Sequence, residues 1–241
     1  PYVKLFDTNT GGFVKELGIH NPSLSITSFD FSEDSSHLAV CATKRQTGTV
    51  DIWNIKNDDV KFSLDLQGES LIPHECTFNT FSTRSHLITA SDSQIDVWDI
   101  SIQNQIAIKN DTKKANLEDC ALSSDGKRAF TITEYGDLEV WNLDSMQIEI
   151  ACSLPEKDVI CIAANENGTR IAIGLPWGQG CSVYELQDDK QIFFLHRFEA
   201  YESGRTLSCV MMSNNTLAFG TWEGNIKICD IKNKKEIITL F

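Results

Sequence analysis

One short motif recurs along the whole chain at a nearly constant spacing, and it restricts the possible folds more than any other feature. It alternates apolar and polar residues up to an aromatic residue, as in D-I-W-N-I (Asp51–Ile55), Q-I-D-V-W-D-I (Gln94–Ile100) and L-E-V-W-N-L (Leu138–Leu143). The equivalent positions, which we call the motif positions, are Phe6, Trp53, Trp98, Trp141, Tyr184 and Cys229. Their successive separations are 47, 45, 43, 43 and 45 residues. Such a regular period predicts a fold built from repeated units.

Each period contains four short segments that are typical of β-strands. Between Asn116 and Ile150 they are a run that ends in D-C-A-L-S, then R-A-F-T-I-T, D-L-E-V-W-N-L and M-Q-I-E-I. The segments are rich in β-branched and aromatic residues, and turn residues such as Gly, Asp, Ser and Asn separate them. Strong amphipathic helical periodicity is absent from the sequence. The sequence therefore predicts an all-β fold made of four-stranded antiparallel sheets.

The period, the strand pattern and the W-D or W-N ending together resemble the WD-repeat β-propeller family, with divergent repeats. The resemblance covers essentially the whole chain as a single domain, residues 1–241. It implies a half blade at residues 1–20 and five full blades at about 21–68, 69–110, 111–154, 155–200 and 201–241. Five and a half blades cannot close a ring without exposing sheet edges. We therefore expect the missing strands to come from the rest of a longer propeller of about seven blades, or from a partner.

The polar network of the family is mostly missing from these repeats. In well-formed WD repeats a histidine, a Ser or Thr, an Asp and the Trp form a hydrogen-bonded tetrad, and the Asp lies six residues before the Trp. Only the second full blade fits this spacing, with Asp92 before Trp98, Ser91 or Thr89 as the hydroxyl, and His74 closer to the Trp than the family's spacing implies. The residues at the Asp position elsewhere are Thr47, Tyr135, Gly178 and Glu223. We expect these blades to be stabilised by apolar packing.

Charge and cysteine content restrict the partners and the compartment. Twenty-one Lys and Arg against thirty-four Asp and Glu give a net charge of −13, which disfavours direct binding to nucleic acid or to anionic membranes and favours basic protein partners. The eight cysteines include no C-x-x-C pair, and the five histidines have no metal-ligand spacing. Most of the cysteines lie in apolar strand-like runs, which predicts buried free thiols in the cytoplasm or nucleus. No metal site or cofactor is predicted.

Motifs that carry catalytic chemistry are not found in the sequence. There is no nucleophile elbow, Walker-type loop, dinucleotide fingerprint or H-E-x-x-H. The glycine-rich run G-L-P-W-G-Q-G (Gly174–Gly180) precedes no predicted helix, so it lacks the donors that hold a phosphate. The chain is therefore predicted not to be an enzyme.

Three consecutive blades place a large aromatic residue in the turn between their second and third predicted strands. These residues are Tyr135, Trp177 and Trp222. Turns normally carry small polar residues, and aromatic residues are enriched at binding hot spots, so the three rings are a candidate partner-binding surface. The alternative is that each ring packs over the neighbouring blade. Three positively charged residues are expected on the same face, where they could select an acidic segment of a partner; they are Lys44, Arg45 and Arg205.

Three functions are compatible with this pattern. The first is a non-catalytic scaffold that binds a protein or peptide on the loop face of the propeller. The second is a sensor or autoinhibitory propeller of an apoptosome-like signalling ATPase, because E-D-C-A-L-S-S-D-G-K-R-A-F (Glu118–Phe130) resembles repeats found there. The third is a structural subunit of a large assembly, such as a coat, a ribosome-maturation complex or a ubiquitin ligase.

Overall fold

The fold is described from a computed structural model of the chain. It describes residues 2–19, 21, 23–32, 35–44, 47–56, 59–66, 73–80, 85–91, 95–99, 104–109, 117–188, 190–200 and 204–240. The chain divides into two compact units, unit 1 (Pro1–Asp111) and unit 2 (Thr112–Phe241). All regular secondary structure in the described residues is β-strand.

Unit 1 contains one two-stranded and two four-stranded antiparallel sheets. Its strands are β1 (Tyr2–Phe6), β2 (Phe13–Gly18), β3 (Ser25–Phe31), β4 (His37–Lys44), β5 (Thr47–Asn54), β6 (Asp59–Leu66), β7 (Pro73–Thr80), β8 (Ser85–Ser91), β9 (Ile95–Asp99) and β10 (Asn104–Lys109). The strand orders are β1-β2, β3-β4-β5-β6 and β7-β8-β9-β10. Within each sheet, every strand pairs with its sequence neighbour, as expected for a chain of hairpins.

Unit 2 contains three four-stranded antiparallel sheets. Its strands are β11 (Leu117–Leu122), β12 (Arg128–Thr133), β13 (Asp137–Asn142), β14 (Gln147–Ser153), β15 (Cys161–Ala164), β16 (Arg170–Leu175), β17 (Gly180–Leu186), β18 (Ile192–Phe198), β19 (Thr206–Ser213), β20 (Thr216–Thr221), β21 (Ile226–Asp230) and β22 (Lys235–Leu240). Strands β11–β14, β15–β18 and β19–β22 form one sheet each. We number the five four-stranded sheets blades 1 to 5 in chain order.

The repeated motif has a structural counterpart in every sheet, a β-bulge directly before the motif position. In blade 3, Val140 pairs with Ile150 and Trp141 pairs with Ile148, so Glu149 is an extra residue in the outer strand. The same register shift occurs beside Phe6, Trp53, Trp98, Tyr184 and Cys229. A bulge bends the outer strand and increases its twist. The recurring motif therefore marks a recurring bend in each outer hairpin.

The core of unit 2 lies between consecutive blades, and blade 4 contributes to it from both faces. In β16, Ile171 and Ile173 pack into the cluster shared with blade 3, whereas Ala172 between them packs into the cluster shared with blade 5. The strand period of two explains this division. Blade 4 is therefore buried on both faces, which accounts for its almost continuous apolar strands.

Unit 1 is built in the same way. Leu38 and Val40 of β4 pack towards the half blade β1–β2, and Ala39 and Cys41 pack towards Leu87 of blade 2. Each cluster joins two successive sheets of the unit. The packing expected between neighbouring sheets is therefore present in both units.

The motif positions are buried or partly buried with one exception. Trp53, Tyr184 and Cys229 are buried, and Trp98 and Trp141 are partly buried. Phe6 differs, because it is 57% exposed and its ring contacts Phe13 edge-on at a centroid distance of 5.9 Å. Trp53, Tyr184 and Cys229 each pack into a cluster shared with the preceding sheet, whereas Phe6 lies in the first described sheet.

Arginine side chains connect successive blades of unit 2 on the side of the inner hairpin turns. In blade 3, Arg128 Nε donates to Glu149 Oε2 (2.9 Å), and Arg128 Nη1 donates to the carbonyl oxygen of Gly168 in blade 4 (3.2 Å). Arg170 has the equivalent position in blade 4, and its Nη1 donates to the carbonyl oxygen of Asn214 in blade 5 (2.7 Å). These charge-assisted hydrogen bonds hold each blade to the first hairpin turn of the next.

Candidate protein-binding site

Tyr135 lies in the tight turn between β12 and β13 of blade 3. The turn closes with a hydrogen bond from Gly136 N to the carbonyl oxygen of Thr133 (2.9 Å). Gly136 has a φ of 79°, and a Cβ at this position would lie 2.2 Å from the carbonyl oxygen of Glu156. Glycine is therefore required here both by the backbone conformation and by the close approach of the next connection. Tyr135 itself is 53% exposed.

Trp177 lies in the corresponding turn of blade 4, between β16 and β17. Gln179 N donates to the carbonyl oxygen of Pro176 (3.2 Å) to close the turn. Trp177 has a φ of 55°, followed by Gly178 at 75° and Gly180 at 73°. A left-handed conformation costs a non-glycine residue about 1–2 kcal/mol. Since Trp177 is also 76% exposed, neither the backbone nor packing in this turn explains the choice of tryptophan.

Trp222 lies in the turn between β20 and β21 of blade 5. Thr221 N donates to the carbonyl oxygen of Asn225 (2.9 Å), and Gly224 N donates to the carbonyl oxygen of Thr221 (3.0 Å). Both hydrogen bonds close the turn in which Trp222 lies. Trp222 is 72% exposed, so its indole ring is presented to solvent by a hydrogen-bonded turn.

Backbone hydrogen bonds connect the turns that carry Trp177 and Trp222. Gly204 and Arg205 directly precede β19. The carbonyl oxygen of Gly204 accepts a hydrogen bond from Gly178 N (2.7 Å), and the carbonyl oxygen of Arg205 accepts one from Trp222 N (2.9 Å). One peptide segment thus joins the two turns. The positively charged Arg205 therefore belongs to the segment that connects the turns of Trp177 and Trp222.

The connection between β14 and β15 joins the turns of blades 3 and 4 in the same way. Val159 N donates to the carbonyl oxygen of Glu134 (3.2 Å), and Ile160 N donates to the carbonyl oxygen of Gly174 (3.0 Å). Glu134 belongs to the turn of blade 3, and Gly174 lies three residues before Trp177. The three turns therefore follow one another along one edge of unit 2.

Tyr135, Trp177 and Trp222 occupy equivalent turns of three consecutive blades, and we call them the aromatic row. Each of the three is more than half exposed. None of the three rings is buried by a neighbouring blade. Large aromatic side chains that are exposed on a hydrogen-bonded framework lose little conformational entropy when a partner covers them.

Charged groups lie beside the aromatic row. A hydrogen bond with Glu134, the charge of Glu134 and the charge of Asp158 raise the pKa of Tyr135 above its usual value. Glu223 follows Trp222 directly and is exposed, as is Arg205. Acidic residues thus lie at both ends of the row, and the exposed Arg205 belongs to the segment that is hydrogen-bonded to both tryptophan turns.

A buried polar network lies beside the turn that carries Tyr135, around Glu156. Glu156, in the connection after β14, is 4% exposed and accepts hydrogen bonds from the Tyr184 hydroxyl and from Arg197 Nη2 (3.0 Å). Arg197 Nε also donates to the Ser182 hydroxyl (2.9 Å). Burial, followed by the hydrogen bond with Glu156, raises the pKa of Tyr184. Sequence reasoning missed this network and expected apolar packing; the tyrosine at a motif position that usually holds tryptophan was the available signal.

Of the other predicted site residues in unit 1, one lies in a described strand and two lie outside the described residues. Lys44 is the last residue of β4 and pairs with Thr47 across the β4–β5 hairpin, which is the topological equivalent of the turns in the aromatic row. Arg45 and Asp92 lie outside the described residues. The tetrad predicted around Trp98 is therefore not described, and Lys44 and Arg45 stay predictions.

No group of three or more His, Cys, Asp or Glu in the described residues could hold a metal ion. In the same part of the chain, no helix has the length and apolar character needed to cross a membrane.

Comparisons with known proteins identify the fold. No protein-family model matches the chain. The β-propeller domain of Cps50 (Swd1) from Myceliophteria thermophila superimposes with a TM-score of 0.78 at 12% identity, over 99% of this chain and 80% of that domain. The five four-stranded sheets are therefore β-propeller blades.

Two curated proteins are similar in sequence. Autophagy-related protein 16 of Arabidopsis thaliana is 21% identical over 99% of this chain and 45% of its own length. A putative BTB/POZ domain and WD-repeat protein of Acanthamoeba polyphaga mimivirus is 24% identical over 68% of this chain and 33% of its own length. The chain spans less than half the length of either relative. These similarities and the fold confirm the predicted resemblance to WD-repeat β-propellers with divergent repeats.

Proposed function

We propose that the chain is a non-catalytic protein-interaction module that binds a protein partner on the aromatic row. The observation that carries this proposal is that Tyr135, Trp177 and Trp222 lie at the same turn of three consecutive blades and are all exposed. The WD-repeat relative supports the general class, since propellers of this kind present loops to partners.

The energetics of the row favour binding over solvent exposure. Covering a large aromatic side chain stabilises a complex by about 2–3 kcal/mol through apolar burial alone. The left-handed backbone at Trp177 costs stability and is not offset by packing within the chain. Strain of this kind at an exposed aromatic residue is typical of a position kept for recognition.

The charge around the row favours a basic segment as the bound element. The net charge of −13 attracts positively charged partners over long distances. Close to the row, Glu134, Asp158 and Glu223 supply carboxylates, and the faces of Trp177 and Trp222 attract Lys or Arg through cation–π interaction. An acidic segment that pairs with Arg205 is the competing possibility, because Arg205 is exposed and belongs to the segment that is hydrogen-bonded to both tryptophan turns.

Affinity capture from cell extract tests the location of the site. The row variant replaces Tyr135, Trp177 and Trp222 with alanine. A matched control, the outer-strand variant, replaces three exposed apolar residues on the fourth strands of the same blades with alanine; they are Ile148, Phe193 and Ile237. We expect the row variant, confirmed as folded by circular dichroism, to lose partners that the outer-strand variant retains. Equal partner lists for the two variants would refute the proposal and favour a fixed structural subunit with another contact face.

Peptides test the charge of the bound segment. A Lys/Arg-rich peptide containing one apolar residue in every four should bind the native chain, and the same sequence with Glu and Asp in place of Lys and Arg should not. The affinity for the basic peptide should fall as salt rises, because the carboxylates lie at the exposed surface. Preferential binding of the acidic peptide, lost in an Arg205→Ala variant, would show that Arg205 selects the partner instead.

A further inference from the structure

Two cysteines of unit 2 lie in van der Waals contact across the boundary between blades 4 and 5. Cys161 is in β15 and Cys209 is in β19, the first strands of their blades, and their sulfur atoms are 3.5 Å apart. Cys161 is 7% exposed, whereas Cys209 is half-buried. Cys209 Sγ also lies 3.7 Å from the carbonyl oxygen of Ala172. The two thiols therefore face each other, and one of them is accessible from solvent.

The local packing brings these sulfur atoms together. Cys209 packs against the apolar cluster that joins blades 4 and 5. Gly174 lies beside Cys161, and a Cβ at Gly174 would approach Cys161 Sγ to 2.4 Å and Thr206 Cγ2 to 2.8 Å. A glycine at this position leaves the room that the Cys161 sulfur occupies. The arrangement thus depends on three strands, β15, β16 and β19.

We propose that Cys161 and Cys209 are a site of oxidative modification, at which a peroxide converts the two thiols into a reversible disulfide. The sulfur atoms need to approach by about 1.5 Å to reach the length of a disulfide bond. The link would join residues 48 positions apart in the chain and fasten blade 4 to blade 5. This proposal does not depend on the proposed binding function.

The reaction is a two-step oxidation. Peroxide transfers one oxygen to the Cys209 sulfur, which becomes a sulfenic acid, and the remaining peroxide oxygen leaves as water. The Cys161 sulfur then attacks the Cys209 sulfur, the S–O bond breaks, and the hydroxyl leaves as water with the Cys161 proton. One peroxide and two thiols thus give one disulfide and two waters. A reduced dithiol such as dithiothreitol reverses the step.

The neighbouring thiols are poorly suited to the same reaction. Cys181 and Cys229 lie in the same cluster and are almost fully buried. Burial raises the pKa of the Cys181 thiol and raises that of Cys229 to about 12, so both stay protonated at neutral pH. Cys161, Cys181 and Cys229 are all buried, so the partly buried Cys209 is the thiol of this group that peroxide from solvent reaches first.

The cysteine pair lies in the two strands that follow the segments hydrogen-bonded to the aromatic row or its blade. Cys161 follows Ile160, which is hydrogen-bonded to Gly174, three residues before Trp177. Cys209 is in the strand that begins immediately after Arg205. A disulfide would therefore link β15 and β19, the two strands whose preceding residues are hydrogen-bonded to the blades that carry Trp177 and Trp222.

Peptide mapping under non-reducing conditions tests the proposal. The native chain is treated with hydrogen peroxide, blocked with an alkylating reagent and digested. We expect a linked pair of peptides containing Cys161 and Cys209, a loss of two hydrogen atoms, reversal by dithiothreitol, and a Tm higher by about 5–10 °C. A Cys209→Ser variant should form no such link, and a Cys152→Ser variant, which changes a partly buried cysteine outside the pair, should form it at the native rate.

Other results would overturn the proposal. They are overoxidation of Cys209 without a link to Cys161, a disulfide between other cysteines, or no change of mass at peroxide concentrations that oxidise a free thiol. If a serine variant fails to fold, the peptide map of the unsubstituted chain decides the question by itself.

Discussion

Substituting Gly136 with alanine should destabilise unit 2 far more than the same change at Gly224. Both glycines lie in turns of unit 2 and have similar φ values, 79° and 86°. Alanine in this conformation costs about 1–2 kcal/mol at either position. The surroundings differ, because a Cβ at Gly136 would lie 2.2 Å from the carbonyl oxygen of Glu156, whereas a Cβ at Gly224 meets nothing within 4 Å. Because alanine at position 136 must displace the β14–β15 connection, Gly136→Ala should lose about 1–3 kcal/mol more free energy of unfolding than Gly224→Ala.

Urea unfolding followed by circular dichroism measures this difference. Both variants report on the same unit, so the change in unfolding midpoint at an unchanged m-value gives the difference in free energy of unfolding. The Gly224→Ala variant serves as the control for the backbone conformation alone. Equal losses of stability in the two variants would refute the close packing of the β14–β15 connection against the turn of Tyr135.

Three further results follow from the structure. Glu156→Ala should destabilise the chain by about 2–3 kcal/mol, since it leaves the Tyr184 hydroxyl and the partly exposed Arg197 without their acceptor. Tyr184→Phe should cost only about 1–2 kcal/mol, and chemical unfolding measures both. Trp177→Gly should leave the free energy of unfolding unchanged or raise it by up to about 1 kcal/mol, because it removes the strained φ, while partner capture falls. Burial raises the pKa of Glu149, but hydrogen bonds from Asn142 and Arg128 outweigh it, so the pKa lies below the usual 4.5. The stability that this carboxylate contributes is therefore fully present above its pKa in the unfolded chain, and it is lost as the pH falls through its lower pKa in the folded chain. A Glu149→Gln variant should therefore lose less stability on acidification.

Much of the fold could be predicted because the same pattern of strand and turn residues occurs in every repeat. The alternation before Trp141 follows the strand period of two, since Leu138 and Val140 are buried whereas Asp137 and Glu139 are only partly buried. The short polar segments between strands are the hairpin turns. The bulge before each motif position could not be predicted, because the alternation continues unbroken through the residues that form it. The exposure of Phe6 also could not be foreseen from the motif, since burial of a motif position depends on the preceding sheet that packs against it.

The candidate site was only partly accessible from the sequence. An aromatic residue in a turn is visible as a pattern, and the exposure of Tyr135, Trp177 and Trp222 was the open question that the structure answers. The Glu156 network was missed because its partners lie 28 and 41 residues away, and only packing brings them together. The pairing of Cys161 with Cys209 has the same origin, since each residue alone resembles any buried strand cysteine.

A fluorescence titration tests the central claim most directly. Trp177 and Trp222 are the exposed tryptophans of the described residues, so their emission reports when a partner covers the row. With a captured partner, we expect a saturable change in emission for the native chain and for the outer-strand variant. The row variant should show a Kd at least 30-fold weaker, about 2 kcal/mol, when it is followed by calorimetry. An unchanged Kd in the folded row variant would contradict the account and place the binding site elsewhere on the chain.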